Sequence, residues 1–463
     1  MVIIVSKKAN KCIDKLWGGA HASSDQDALL FASSSDVTSK PVPENILIPF
    51  DIATNQAHIA MLNKVNLLSS EEFTTLKNEL SILQHEYESG AFKFDPKFED
   101  IHSQIESVLK DRIGDPAKKM HTARSRNDQV TTDMYLFLRS SLDDTINSMV
   151  ELVAAGRKIA KKHSETICPG YTHHQKAVVT SFGDLLNAYV VMFERDISRL
   201  KQTKELYDYS PLGATTGYES LLALDYKFTA KKLGFARTFV SSIDVISTRG
   251  EFETAVAQGI AHFMTHVSML AQTLITFSSQ AYGFITIADE YTTGSSAMPQ
   301  KKNPDMLEIM KAKNVYTHSV ESGLSSLLQA AFVGYNRDSQ YSKMMIMQLF
   351  DEVKTVPVIL SKILHTMVIN EGAMSDASSG DFITSTGFME LLVAEKKIAL
   401  RDAKQLIEKA ISFSVNIHKI DRAAFNKAIK ETGVDVDISD DQLSIWQTAE
   451  YQLSVRRNRS GVQ

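Results

Sequence analysis

Cysteine is nearly absent from this chain: Cys12 and Cys168 are the two among 463 residues. They have no CxxC partner and no metal-ligand spacing, which excludes a disulfide scaffold and a zinc-knuckle site and predicts a reduced, cytoplasmic setting. Long apolar runs are missing as well. The opening MVIIVSKKANK is too short in its apolar part for a signal peptide, and no later segment has the unbroken apolar length of a membrane span, so no membrane partner is expected. Nor is there a large excess of one charge. A net charge of −5 gives no general attraction to nucleic acid, and any basic site must be local. P-loop, GxGxxG, HExxH and GxSxG signatures are all lacking, so no cofactor or metal is indicated.

Proline is scarce and unevenly placed. The ten prolines leave the tracts 117–168, 170–210, 212–298, 305–356 and 358–463 free of this helix breaker. In 182–200, Phe182, Leu186, Tyr189, Phe193, Ile197 and Leu200 recur at steps of three and four, the mark of an amphipathic helix. Segments 257–283 and 306–331 carry similar stripes, while strand-like alternation is scarce. These patterns predict a mostly α protein in three parts. An N-terminal helical domain over 1–115 holds a loop at 20–48, with helices from Asp51 and Ser70. A bundle of long helices fills 116–366, and a small helical domain, opened by the Gly/Ser stretch EGAMSDASSGDF, fills 367–463.

Four polar islands interrupt the helical pattern. TTGSSAMPQKKNPD (292–305) offers Ser295, Ser296, Lys301, Lys302 and Asn303 as donors, with Asp305 positioned to cap the next helix. Such a set suits a substrate carrying carboxylates, and a serine there can act as base if neighbouring cations lower its pKa. A polar surface loop has the same composition. HTARSRNDQ (121–129) clusters Arg124 and Arg126 with Thr122, Ser125 and Asn127; arginine clamps carboxylates, although a solvated helix entrance capped by Asn127 or Asp128 reads alike. In CPGYTHHQ (168–175), Gly170 marks a turn and His173 and His174 fall at a helix start, where histidine can shuttle protons or simply be structural. GYNRDSQYSK (334–343) mixes Tyr335, Gln340 and Lys343 between apolar tracts, as an interhelical loop also would.

Taken together, LWGG (16–19), EDIH (99–102), HTARSRNDQV (121–130), PGYTHHQ (169–175), SPLGA (210–214), GSSAMPQKKNPD (294–305) and YNRD (335–338) resemble the aspartase/fumarase superfamily, and specifically its argininosuccinate lyase branch. The resemblance covers nearly the whole chain. It implies a three-domain fold with a central long-helix bundle, a homotetramer, and active sites shared between subunits. It also implies reversible β-elimination of fumarate from an N-substituted aspartate, such as argininosuccinate giving arginine. By motif, Ser295 matches the base that removes the Cβ proton, and Lys301 and Asn303 match the donors holding the resulting aci-carboxylate. Ser125, Arg126, Asn127 and Thr172 match fumarate-binding residues, with Ser296 a further substrate donor. His173 matches the motif histidine, with Glu308 as its carboxylate partner; Tyr335, Gln340 and Lys343 match residues near the leaving amine.

The chain departs from the pattern mainly on the amine side. Ala20 and His21 follow LWGG where Arg-Phe is usual. Arg249-Gly250-Glu251-Phe252 replaces Arg-Asp-Phe, Gln340-Tyr341-Ser342-Lys343 replaces Gln-Glu-Asp-Lys, and the tail lacks Gly-Gly-Thr. Several lost groups are acidic. Fumarate-releasing chemistry with a different amine therefore stays open beside argininosuccinate, as does a non-catalytic, crystallin-like role.

Overall fold

Helices account for most of the described residues. The computed structural model describes residues 13–14, 23–24 and 43–460, apart from 294–297, 299, 330 and 417. The main helices are α1 (Pro43–Lys64), α2 (Ser70–Glu88), α3 (Ile101–Ile113), α4 (Arg126–Lys162), α5 (Phe182–Leu206), α6 (Glu251–Ser278), α7 (Asp305–Leu327), α8 (Ser342–Val353) and α9 (Val356–Thr366). The proline-free tracts supply α4, α5, α6 and α7, of 37, 25, 28 and 23 residues. The stripe read over 182–200 faces inward: Phe182, Leu186, Phe193, Ile197 and Leu200 are buried.

Two compact units divide the chain. One comprises residues 1–147, 196–263 and 313–354. In it α1 packs against α2 and α3. Leu47, Ile48, Ile52 and Ile59 meet the stripe Leu76, Leu80, Leu83 and the stripe Ile101, Ile105, Leu109, all buried. The entry to α2 is a reciprocal capping box, in which Ser69 Oγ accepts from Glu72 N and Glu72 Oε2 accepts from Ser69 N. The expected loop at 20–48 ends sooner than predicted. Helix α1 begins at Pro43, where a missing N–H costs nothing, and continues through Pro49. Residues 20–22 and 25–42 of that loop lie outside the described residues.

The other unit comprises 148–195, 264–312 and 355–463. Its C-terminal part buries Phe388, Leu391, Leu392, Leu406, Ile407, Phe425 and Trp446 in one cluster. EGAMSDASSGDF is half helical, since Glu371–Ala377 forms a short helix capped by Asn370. This unit also holds an element the sequence pattern did not announce, an antiparallel hairpin of β1 (Ile167–Thr172) and β2 (Gln175–Ser181).

Candidate active site

The hairpin changes the setting of the motif histidine. His173 and His174 do not begin a helix. They form a two-residue turn with φ of 51° and 61° between paired Thr172 and Gln175. Two successive left-handed residues are what a type I′ hairpin requires. Gly170 lies within β1, at a register shift, rather than in a turn. Thr172, His173 and His174 are all exposed at the hairpin tip.

In the same unit, backbone bonds close the base of the 292–305 loop. Thr293 N donates to Asn303 O at 3.1 Å, and Asn303 N donates to Thr293 O at 2.8 Å. Pro304, not Asp305, takes the capping position of α7, because its carbonyl accepts from Leu307 N and Glu308 N. The Asp305 carboxylate instead accepts from the Thr293 hydroxyl, a second tie across the loop base. Lys302 pairs with Asp289. Lys301 is exposed on the pinned loop, and Glu308 is exposed on the first turn of α7. No hydrogen bond or ion pair joins Glu308 to His173 among the described residues. Ser295 and Ser296 lie outside the described residues.

The unit built on α1, α3 and the start of α4 holds the HTARSRNDQ segment. Ser125 caps α4: its Oγ accepts from Asn127 N at 3.3 Å, and Asp128 Oδ1 accepts from Ser125 N at 2.9 Å. Asp128 Oδ2 accepts from Gly213 N and Thr215 N, both at 3.0 Å. One buried carboxylate thus fastens SPLGA to the helix entrance. Ala123 adopts φ of 58°, which turns the chain so that Arg124 points inward. Arg124 Nη2 donates to Asn55 Oδ1 at 2.6 Å, and His58 Nε2 meets Thr122 O at 2.8 Å. Burial and the Arg124 charge hold His58 well below the usual histidine range, so the neutral ring donates from Nε2. Burial, with Arg124 and Arg126, pushes His121 down to about 3. Ser125, Arg126 and Asn127 stand half-buried at this entrance. Arg126 engages Gln129 Oε1 at 3.0 Å and Glu106 Oε2 at 3.2 Å.

Beneath the entrance lies a buried polar cluster. His102 Nδ1 meets Asp51 Oδ1 at 2.8 Å and Asp133 Oδ2 at 3.5 Å. Gln129 Nε2 and Asn55 Nδ2 donate to Asp51 at 2.5 and 2.9 Å, and Thr54 Oγ1 donates to Asp133 Oδ1 at 2.5 Å. Burial alone would lower His102, but the charges of Asp51, Asp100 and Asp133 raise it. Asp51 is held far below the carboxylate range by His102 and Arg124 against the cost of burial, whereas burial and the Asp51 charge push Asp133 well up. One atom each of Asp51, His102 and Asp133 lie within 4.8 Å of one another, a spacing open to three metal ligands. Here Asp51 bonds His102, Gln129 and Asn55, Asp133 Oδ1 accepts from Thr54 while its Oδ2 has no hydrogen bond, and Arg124 adds a cation, so the donor set is suited to sharing a proton.

At the amine-side island, Tyr335 Oη donates to Gln340 Oε1 at 3.4 Å, and both side chains are half-buried. Lys343 is 2% exposed and ion-paired with fully buried Glu44, whose Oε2 accepts from Ile101 N at 3.0 Å. EDIH is legible as a motif, but its partners Glu44, Asp51 and Asp133 are not. Glu44 and Asp51 lie on α1 and Asp133 on α4, and a charged residue in a helix reads as solvated until its neighbours are known.

This helical architecture and its four motif islands define a lyase of the fumarase type. The profile of the lyase family matches residues 14–316, and the chain belongs to that family. It belongs more narrowly among the argininosuccinate lyases. It is 38% identical over 401 residues to the argininosuccinate lyase of Streptococcus mutans, covering 86% of this chain and 85% of that protein. It is 36% identical over 401 residues to that of Streptococcus thermophilus, with the same coverage. The fold is also that of EDDS lyase solved in complex with formate, with a TM-score of 0.78 at 24% identity over 95% of this chain and 86% of that one. A class II fumarase from Schistosoma mansoni gives 0.75 at 13% identity, over 93% and 95%.

Proposed function

We propose that this protein is a carbon–nitrogen lyase that splits argininosuccinate reversibly into arginine and fumarate. The identity to argininosuccinate lyases over most of the chain carries this reading. The donor-rich helix entrance and the pinned lysine-bearing loop support it chemically. In the proposed reaction Ser295 takes the Cβ proton, and Lys301 and Asn303 hold the aci-carboxylate that forms. The Cα–N bond then breaks, its electron pair leaves with nitrogen, and fumarate is released. Ser125, Arg126, Asn127, Thr172 and Ser296 bind the dicarboxylate portion. Tyr335, Gln340 and Lys343 bound the amine side.

His173 and Glu308 are proposed to pair between subunits of a homotetramer, since both are exposed and unlinked within one chain. Exposed apolar side chains on the long helices, Val150, Val191, Met269 and Ile309 among them, suit such an assembly. No helix among the described residues is long and apolar enough to cross a membrane, and we place the enzyme in the cytoplasm, in arginine biosynthesis. We retain the division at 1–115, 116–366 and 367–463 as the functional domains.

Purified protein offered argininosuccinate should yield fumarate and arginine in equal amounts. Fumarate consumed with another amine, and none released from argininosuccinate, would keep the chemistry and replace the substrate. Inactivity in both assays would refute the reading.

A further inference from the structure

Three basic side chains in or beside the 334–343 island are in different electrostatic states. Lys343 is paired with Glu44, and Arg337 Nη2 reaches Glu99 Oε1 at 3.2 Å. Arg249 has neither kind of partner. It is 5% exposed, its Nε is buried without a hydrogen bond, and its guanidinium makes no hydrogen bond or ion pair among the described residues. Its recorded neighbour is the ring of Tyr335, 5.6 Å from Cζ.

Between Arg249 and Phe252, where the family motif has a single Asp, stand Gly250 and Glu251, and Glu251 Oε1 accepts from Tyr207 Oη at 2.8 Å; Tyr341 and Ser342 stand where the other motif has Glu and Asp. Gly250 sits at φ of 100°, a backbone state that resists a side chain, and Ser342 spends its hydroxyl on Glu253 Oε1 at 3.1 Å. Glu253 and Glu44 are close enough to be felt by Arg249, but neither forms an ion pair with it. A buried guanidinium without a carboxylate is costly in the empty protein, and such cost is retained where a ligand anion completes the pair.

We infer that Arg249, beside the ring of Tyr335, is the receptor for a carboxylate carried by the leaving amine, so that the enzyme selects amino acids over simple amines. The inference rests on the proposed placement of Tyr335 and Gln340 beside the leaving group. Arginine meets the requirement through its α-carboxylate. An aminopolycarboxylate would meet it too, whereas a decarboxylated amine would not. Arg249 touches no reacting atom in this scheme; it determines specificity.

The test compares argininosuccinate with the corresponding succinyl adduct of agmatine, which lacks only the α-carboxylate. Wild-type protein should prefer argininosuccinate in kcat/KM by roughly 30-fold or more, the usual scale for losing one partner of a buried charge pair. Arg249→Gln should reduce that ratio towards unity, mainly through KM for argininosuccinate, and Arg249→Lys should restore part of it. Arg249→Met should also melt no lower than wild type without ligand, because it removes an uncompensated buried charge. Equal losses on both substrates, or a fall in melting temperature with Arg249→Met, would overturn the inference.

If wild type releases fumarate from neither compound, arginine is the wrong leaving group. The inference is then read from fumarate consumed with amino acids against their decarboxylated amines. Indifference to the carboxylate, or no consumption at all, would overturn it.

Discussion

Lys343 of α8 buries its ammonium against the carboxylate of Glu44 in the first turn of α1, and Glu44 in turn accepts the backbone N–H that opens α3. Three helices of one unit meet on this ion pair. Removing one partner leaves the other charge buried and unmatched, which costs ~3–5 kcal/mol. Glu44→Gln should therefore lower the melting temperature sharply. The double variant Glu44→Gln/Lys343→Met should recover much of that loss, as a thermal melt of the four proteins in the cycle would show.

Asp128 makes a different kind of tie, accepting from Ser125, Gly213 and Thr215 backbone N–H groups. Asp128→Ala leaves these donors without their acceptor, at about 1–3 kcal/mol for each that stays dry. Because the same carboxylate positions Ser125 and Asn127, KM for the dicarboxylate should rise as stability falls. A KM unchanged in a destabilised variant would separate the tie from substrate binding.

The Asp51–His102–Asp133 cluster predicts a stability optimum in pH. Asp51 has its pKa lowered by folding, so its contribution is present above the unfolded value of about 4 and is lost as pH falls further. His102 has its pKa raised, so its contribution is full below the unfolded value of about 6.5 and is lost as pH rises through the folded one. Asp133, raised by burial, adds to the loss on the alkaline side. Melting temperature should thus peak between these limits. His102→Gln should flatten the alkaline limb and, because His102 also holds Asp51 down, weaken the acid limb as well; an unaltered alkaline limb would contradict the assignment.

His173 and His174 both hold positive φ at the hairpin tip, yet only His173 is assigned a part in the reaction. Glycine adopts this backbone freely, so His174→Gly should keep the fold, with stability changed by no more than about 1 kcal/mol, and should keep activity. His173→Asn suits the turn equally well and should abolish most activity without a shift in melting temperature. Equal activities in the two variants would remove His173 from the mechanism.

The long helices were legible because burial repeats on a single stripe: Phe182, Leu186, Phe193, Ile197 and Leu200 are apolar in sequence and inward in structure. Proline was a less faithful guide. It is absent from α4 to α7, and Pro304 stands directly before α7, yet Pro43 and Pro49 sit in α1, where the first turn has no N–H bond to lose and tertiary packing carries the rest. The hairpin escaped notice because its turn is His-His, not the Asn-Gly that advertises a type I′ turn, although AVVTS gave a β-branched run. Candidate site residues on local motifs, such as Ser125 and Asn127, stand out by composition, as does their neighbour Asp128. Long-range pairs do not, because Glu44 and Lys343 are 299 residues apart and meet only through the packing of helices.

The most direct test of the central claim is the ultraviolet signal of fumarate released from argininosuccinate by wild-type protein and by Ser295→Ala under the same conditions. The proposed mechanism predicts steady release by wild type and a loss of two orders of magnitude or more in the variant, on the scale of general-base catalysis. Full turnover by Ser295→Ala would remove the serine from the reaction, and no release by wild type would contradict argininosuccinate as the substrate.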